Sequence, residues 1–156
     1  GDNVAWFNND NVYYLNLSDD TTIKVTSDDK NRGELNISEK YIAWDNYGNN
    51  WQKVYGYGTI QGVEYYNIQN EKINRLPLAS ENANKFQRSP LLDDEYIVYD
   101  GAAESMSFST FIFDIEKKES QRINDKSYNL NVCEGKIVWQ KYYTDNKYAI
   151  FLYSYR

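Results

Sequence analysis

Four times along the chain, at intervals of 38, 55 and 40 residues, an apolar stretch closes on an aromatic ring. The four are Val4-Ala5-Trp6, Tyr41-Ile42-Ala43-Trp44, Tyr96-Ile97-Val98-Tyr99 and Lys136-Ile137-Val138-Trp139. Self-similarity at such a period is the signature of a repeat architecture. The surroundings repeat too. Ten residues before each of the last three rings begins a short segment, strand A: Glu34-Leu35-Asn36-Ile37, Ser89-Pro90-Leu91-Leu92 and Asn129-Leu130-Asn131-Val132. Polar residues 38–40, 93–95 and 133–135 follow, a length suited to a hairpin into the tetrad, strand B.

A second aromatic run, strand C, comes next: Tyr13-Tyr14-Leu15-Asn16-Leu17, Glu64-Tyr65-Tyr66-Asn67-Ile68, Phe111-Ile112-Phe113-Asp114-Ile115 and Phe151-Leu152-Tyr153-Ser154-Tyr155. After a polar turn stands the more modest strand D: Ile23-Lys24-Val25-Thr26, Asn74-Arg75-Leu76-Pro77 and Gln121-Arg122-Ile123-Asn124. Strand B is apolar at successive positions, which predicts burial of both faces, whereas strand D alternates and carries Pro77, as an edge strand can. Sheets covered on both faces with one exposed rim describe a β-propeller, an all-β fold of four-stranded blades set side by side. A two-layer sandwich would leave one face wet and make strand B alternate. The strand count is B-C-D, then A-B-C-D twice, then A-B-C. We therefore expect residues 1–156 to form a partial propeller of about three and a half blades, over 1–30, 31–80, 85–126 and 127–156. Because propellers close with four or more blades, further blades from the same or another chain are expected partners.

Composition agrees with strands. Aromatic residues make up 17% of the chain, with sixteen Tyr and only two Pro, and such side chains suit half-buried pleated surfaces.

Tyr65-Tyr66-Asn67-Ile68 followed by Lys72-Ile73-Asn74-Arg75-Leu76, and Phe113-Asp114-Ile115 followed by Gln121-Arg122-Ile123, resemble the Y-x-x-D-L … x-R-L-T part of TolB-like propeller blades. The Ile-Val-Trp strand is similar as well. Asn16 and Asn67 stand where that family usually has Asp, and the Pro-Asp-Gly turn common before strand B is absent. The resemblance implies a blade and no particular activity.

Charge and chemistry narrow the function. The net charge is −6 without a basic cluster, so nothing marks a nucleic-acid-binding face. No run of about eighteen apolar residues exists to insert in a membrane. The single Cys133 cannot form an intrachain disulfide, and it is expected to be a small buried apolar residue in a strand rather than a reactive thiol. The chain opens at Gly1 without Met, an opening expected of a piece cut from something longer. With no His, Ser-His-Asp and Cys-His nucleophiles and His-ligated zinc are excluded within these residues. No phosphate or dinucleotide loop appears, so no catalytic residue, cofactor or metal is expected here. Only carboxylate-pair chemistry of the glycosidase kind survives the inventory.

Asp45 and Asp100 occupy equivalent places just after strand B, where Phe7 and Gln140 stand in the other repeats. Capping of turns is the plain reading of both. The acidic pairs at 19–20 and 28–29 and the cluster at 93–95 lack the spacing of a calcium loop. Asn16-Leu17-Ser18 and Asn36-Ile37-Ser38 match the glycosylation pattern but fall in strands. The most distinctive segment is the insertion after Asp45, which carries Tyr47, Trp51, Tyr55 and Tyr57, while the fourth repeat adds Tyr142 and Tyr143 to the corresponding connection. In propellers the B-to-C and D-to-A connections emerge on one face. Rings presented there with Asn, Gln and Lys suit a glycan or protein partner; the alternative is that they plug the mouth or extend a hairpin. The expected function is a non-catalytic binding or scaffold domain, the rival a propeller module of a larger hydrolase or polysaccharide-degrading enzyme.

Overall fold

A computed structural model describes residues 2–28, 30–47, 60–77, 86–102, 109–125, 128–142 and 148–155. All regular structure among them is β. The first sheet holds β1 (Asn3–Asn8), β2 (Asn11–Asn16) and β3 (Thr21–Lys24). The second holds β4 (Asn31–Ile37), β5 (Tyr41–Tyr47), β6 (Ile60–Asn67) and β7 (Lys72–Arg75), and the third β8 (Phe86–Asp93), β9 (Tyr96–Ala102), β10 (Ser109–Asp114) and β11 (Glu119–Asp125). The fourth consists of β12 (Tyr128–Cys133), β13 (Lys136–Tyr142) and β14 (Tyr148–Ser154). Each sheet is an antiparallel meander with strands in chain order, so the four are blades of B-C-D, A-B-C-D, A-B-C-D and A-B-C.

Side-chain alternation sends each blade's apolar residues both ways. Ile42, Trp44 and Tyr66 pack back onto Val12 and Tyr14 of the first blade. Their neighbours Ala43, Val63 and Tyr65 face forward and meet Ile97, Tyr99, Phe111 and Phe113 of the third. Val98 and Ile112 in turn meet Ile137 and Trp139 of the fourth. The three cores are thus one interface repeated, and β5 is buried along all but its last residue. The D strands β3 and β7 lie at the exposed rim.

The end blades depart from this. Trp44, Tyr99 and Trp139 are buried, but Trp6 is only half-buried, since among the described residues no sheet covers its side of the first blade. Cys133, expected inside, is exposed at the end of β12. Its equivalent in the third blade, Asp93, reaches forward to accept a hydrogen bond from Gly135 N–H at 2.7 Å and one from the Tyr155 hydroxyl. Cys133 has the same forward position, and among the described residues no sheet lies on that side of the fourth blade.

Local chemistry explains the joints. Asn9-Asp10 and Glu134-Gly135 are two-residue hairpin turns with φ of 48°, 62°, 49° and 76°, a type I′ geometry that matches the twist of the strands. At the end of strand C, the side-chain oxygens of Asn16, Asn67 and Asp114 accept turn N–H bonds from Ser18 (2.9 Å), Gln69 (3.0 Å) and Lys117 (2.9 Å). Asn and Asp serve alike for this turn bond, which needs a side-chain acceptor oxygen; Asn16 also donates its Nδ2–H to Asp19 Oδ2 at 3.3 Å, and Asp114 also pairs with Lys117 Nζ at 2.8 Å. Strand A carries a bulge in every four- or three-stranded blade that has one, at residues 33–34, 89–90 and 129–130.

Candidate functional site

The two ends of the sheets differ. At one end, strands A and B are joined by turns of two or three residues. At the other, β5 ends at Tyr47 directly opposite Ile60, so the twelve-residue insertion leaves and re-enters the sheet at one point. Phe86, where the long D-to-A connection returns, pairs with Ala102 at that same end. Re-entry into β6 needs a bulge and Gly62 at φ +119°, a conformation that side chains resist.

The bulges of strand A build a polar floor at this end of the sheets. A Cβ on Gly33 would overlap the Tyr47 ring and the Asp45 carboxylate, so the glycine makes room for both. Ser89, held at φ 54° in the next blade's bulge, donates its backbone N–H to Asp45 Oδ2 at 3.0 Å. Tyr47 adds a longer bond from its hydroxyl at 3.5 Å, while Asp45 Oδ1 has no partner among the described residues. Asp45 is therefore an inter-blade link inside β5 and not the turn cap anticipated, because strand B runs past the tetrad to Tyr47. Beside it, Gln87 accepts from Val63 N–H at 3.3 Å and donates to Pro77 O at 3.0 Å, tying the third blade's strand A to the second blade.

Asp100 is the equivalent carboxylate one blade on. It accepts a hydrogen bond from the Thr110 hydroxyl at 3.4 Å and lies 4.0 Å from Arg88 Nε. Burial pushes both Asp45 and Asp100 up to about 6. The Glu34 charge adds to the rise in both, opposed at Asp45 chiefly by the Ser89 N–H and at Asp100 by Arg88. Burial, and after it the Asp45 charge, drives the Tyr47 hydroxyl up to about 12, so it remains a donor. The arrangement offers a polar floor whose two carboxyls exchange protons near neutrality. Among the described residues, no group of three or more His, Cys, Asp or Glu side chains could hold a metal ion.

Of the candidate rings, Tyr47 is half-buried and folded back over Gly33. Tyr142 ends β13 opposite Tyr148, and its side chain lies outside the described residues, as do Trp51, Tyr55, Tyr57 and Tyr143 altogether. Glu34, Arg88 and Ser89 escape a reading by sequence. Their relevant signal is the strand A bulge, which no spacing announces.

No protein-family model matches the sequence, and no curated protein matches it either. Solved structures do. Over 99% of this chain, dipeptidyl peptidase 4 from Porphyromonas gingivalis superposes with a TM-score of 0.68 at 13% identity. TolB from Acinetobacter baumannii matches 93% at 0.59 and 13%, and the β-propeller domain of the trilobed protease from Pyrococcus furiosus 99% at 0.62 and 15%. The chain has a TolB-like β-propeller fold. It spans 30%, 35% and 52% of those chains respectively, so the TolB-like segment corresponds to part of each. Identities this low establish architecture and carry no site residue across.

Proposed function

We propose that this propeller segment is a non-catalytic binding or scaffold domain that engages a protein or glycan partner through the face bearing the long connections. The observation that carries the reading is the asymmetry of the two ends: at one, twelve residues that include Trp51, Tyr55 and Tyr57 separate Tyr47 from its strand partner Ile60, and at the other strands A and B are joined by turns of two or three residues. Exposed loops on a rigid scaffold are where recognition concentrates, and rings beside amides supply area and hydrogen bonds at small entropic cost. The test is a glycan array and partner pull-down with the wild type beside Trp51→Ala. An anchoring ring should cost about 2 kcal/mol or more in affinity when removed, with folding unchanged. Loss of stability in Trp51→Ala, with no ligand found for either protein, would make these rings packing residues.

A second reading draws on the comparisons, since a dipeptidyl peptidase and a protease are among the matched structures. In it, the segment is the propeller module of a larger hydrolase or polysaccharide-degrading enzyme whose catalytic residues lie on other sequence. A hydrolase domain encoded in frame with this chain would favour that reading; further blades or surface repeats would favour the first.

A further inference from the structure

Near its end, β5 turns consecutive side chains to opposite joints. Asp45 faces the third blade and is met there by Ser89 N–H. Asn46 faces the first blade: it follows Trp44 by two positions on the same side of the strand and stands directly opposite Arg32 in the β4–β5 pairing. Side chains so placed have Cβ atoms about 5 to 7 Å apart. All three are enclosed, with Trp44 0%, Asn46 2% and the Arg32 side chain 1% exposed.

Each of the three holds one buried polar atom that no described residue pairs with: Nε1–H of Trp44, Nε–H of Arg32 and Oδ1 of Asn46. The rest of the guanidinium is engaged. Its Nη1 donates to Asp10 O in the β1–β2 turn at 2.8 Å and to Lys30 O at 3.1 Å, and its Nη2 donates to Asp28, which fixes Arg32 across the joint between the first two blades. The other blades do not repeat this set. In the third, Tyr99 stands for Trp44 and its hydroxyl donates to Ser120 at 3.2 Å, while Gly101 stands for Asn46. In the fourth, Trp139 Nε1 is unpaired as well, but Lys141 stands for Asn46, and an ammonium group offers no acceptor.

We infer that one buried water molecule is bound here between the first and second blades, accepting from Trp44 Nε1–H and Arg32 Nε–H and donating to Asn46 Oδ1. Two donors and one acceptor are satisfied together by a molecule that both accepts and donates, and about three partners is usual for an enclosed water. An ion fits the same atoms less well. An anion would face the lone pairs of Asn46 Oδ1, and a cation would face the guanidinium and the indole N–H. The charged side chains around the site also balance, since Arg32 and Lys30 are paired with Asp28 and Glu64. The two joints served by β5 are therefore closed differently, the Asp45 side by a protein N–H and the Asn46 side through solvent.

Nitrogen-edited rotating-frame NMR tests this in solution. The wild type should give a cross-peak between water and the Trp44 indole proton, assigned by its disappearance in Trp44→Phe. The cross-peak should be lost in Asn46→Leu, which removes the acceptor and fills the space, and in Arg32→Met, which removes the second donor; two variants are used in case one folds poorly by circular dichroism. A high-resolution crystal structure should show one density peak within about 2.7–3.2 Å of all three atoms. The inference is overturned if the wild type gives no cross-peak, if the cross-peak persists in either folded variant, or if the crystal shows Arg32 Nε bonded directly to Asn46 Oδ1 with no peak between them. Bromide soaked into the crystal and found at the site by anomalous scattering would overturn it too, in favour of an anion.

Discussion

Strand B of the second blade and strand B of the fourth are written almost alike and are buried quite differently. In β5 every residue from Tyr41 to Asn46 is buried, while in β13 Ile137 and Trp139 are buried and Lys136 and Val138 are exposed. The backbone pairing is equally regular in both. What differs among the described residues is the number of neighbouring sheets: the second blade has one on each side, the fourth has one only. An unbroken apolar tetrad is thus a statement about two neighbours, and where one is missing the pattern persists while the alternation reappears in burial. Stability should follow burial and ignore the resemblance of the sequences.

The largest break in this comparison comes from the rings. Trp44→Ala removes a fully buried indole between two blades and should cost about 3 to 5 kcal/mol in urea denaturation. Trp6→Ala, at the equivalent but half-buried position, should cost clearly less. Similar losses would mean that the first blade is covered after all.

Next in size is the effect of the buried carboxyls. Asp45 and Asp100 have pKa values of about 6 in the fold, against about 3.9 in an unfolded chain. The fold therefore favours their protonated forms. Their burden is full above pH 6, roughly 2 to 3 kcal/mol apiece, and vanishes below the unfolded value. Stability should rise as the medium is acidified from neutrality toward pH 5. At lower pH the gain is offset as Asp28 and Asp114, whose values are lowered by hydrogen bonds and charges from Arg32 and Lys117, become protonated and lose their stabilising pairs. Asp45→Asn should be more stable than the wild type at neutral pH and flatten the rise; an unchanged profile would contradict the burial assigned to Asp45.

A smaller effect sharpens the floor of the loop-bearing end. Gly33→Ala pushes a methyl into the Tyr47 ring and Asp45, and overpacking of this kind costs about 1 to 3 kcal/mol. The rescue is Tyr47→Ala in the same chain, which should recover part of the loss because the ring is the flexible member of the contact. No recovery would place the strain in the backbone.

Much of the fold is legible in the sequence because a blade is a local meander with period-two side chains, and the four tetrads repeat that period in full view. Inter-blade joints are less legible. Asp45 reads as a turn cap until the Ser89 bulge of the next blade is seen to donate to it, and Cys133 reads as a core residue until it is seen on the side of the fourth blade that no described sheet covers. Both depend on contacts between residues far apart in the chain, which local patterning does not encode. The candidate rings at 51, 55, 57 and 143 belong to connections whose lengths are set by sequence and whose contacts are not, so the sequence supplies their chemistry and leaves their grouping to experiment.

One pair of substitutions tests the central claim most directly, that burial between neighbouring blades and not the strand pattern stabilises this chain. Val98 and Val138 are the same residue at equivalent positions of strand B, 0% and 39% exposed. In matched urea titrations, Val98→Ala should cost about 1 to 2 kcal/mol from two lost methyl groups and the cavity left behind. Val138→Ala should stay within about 0.5 kcal/mol of the wild type in this 156-residue chain. Equal losses at the two sites would contradict the account.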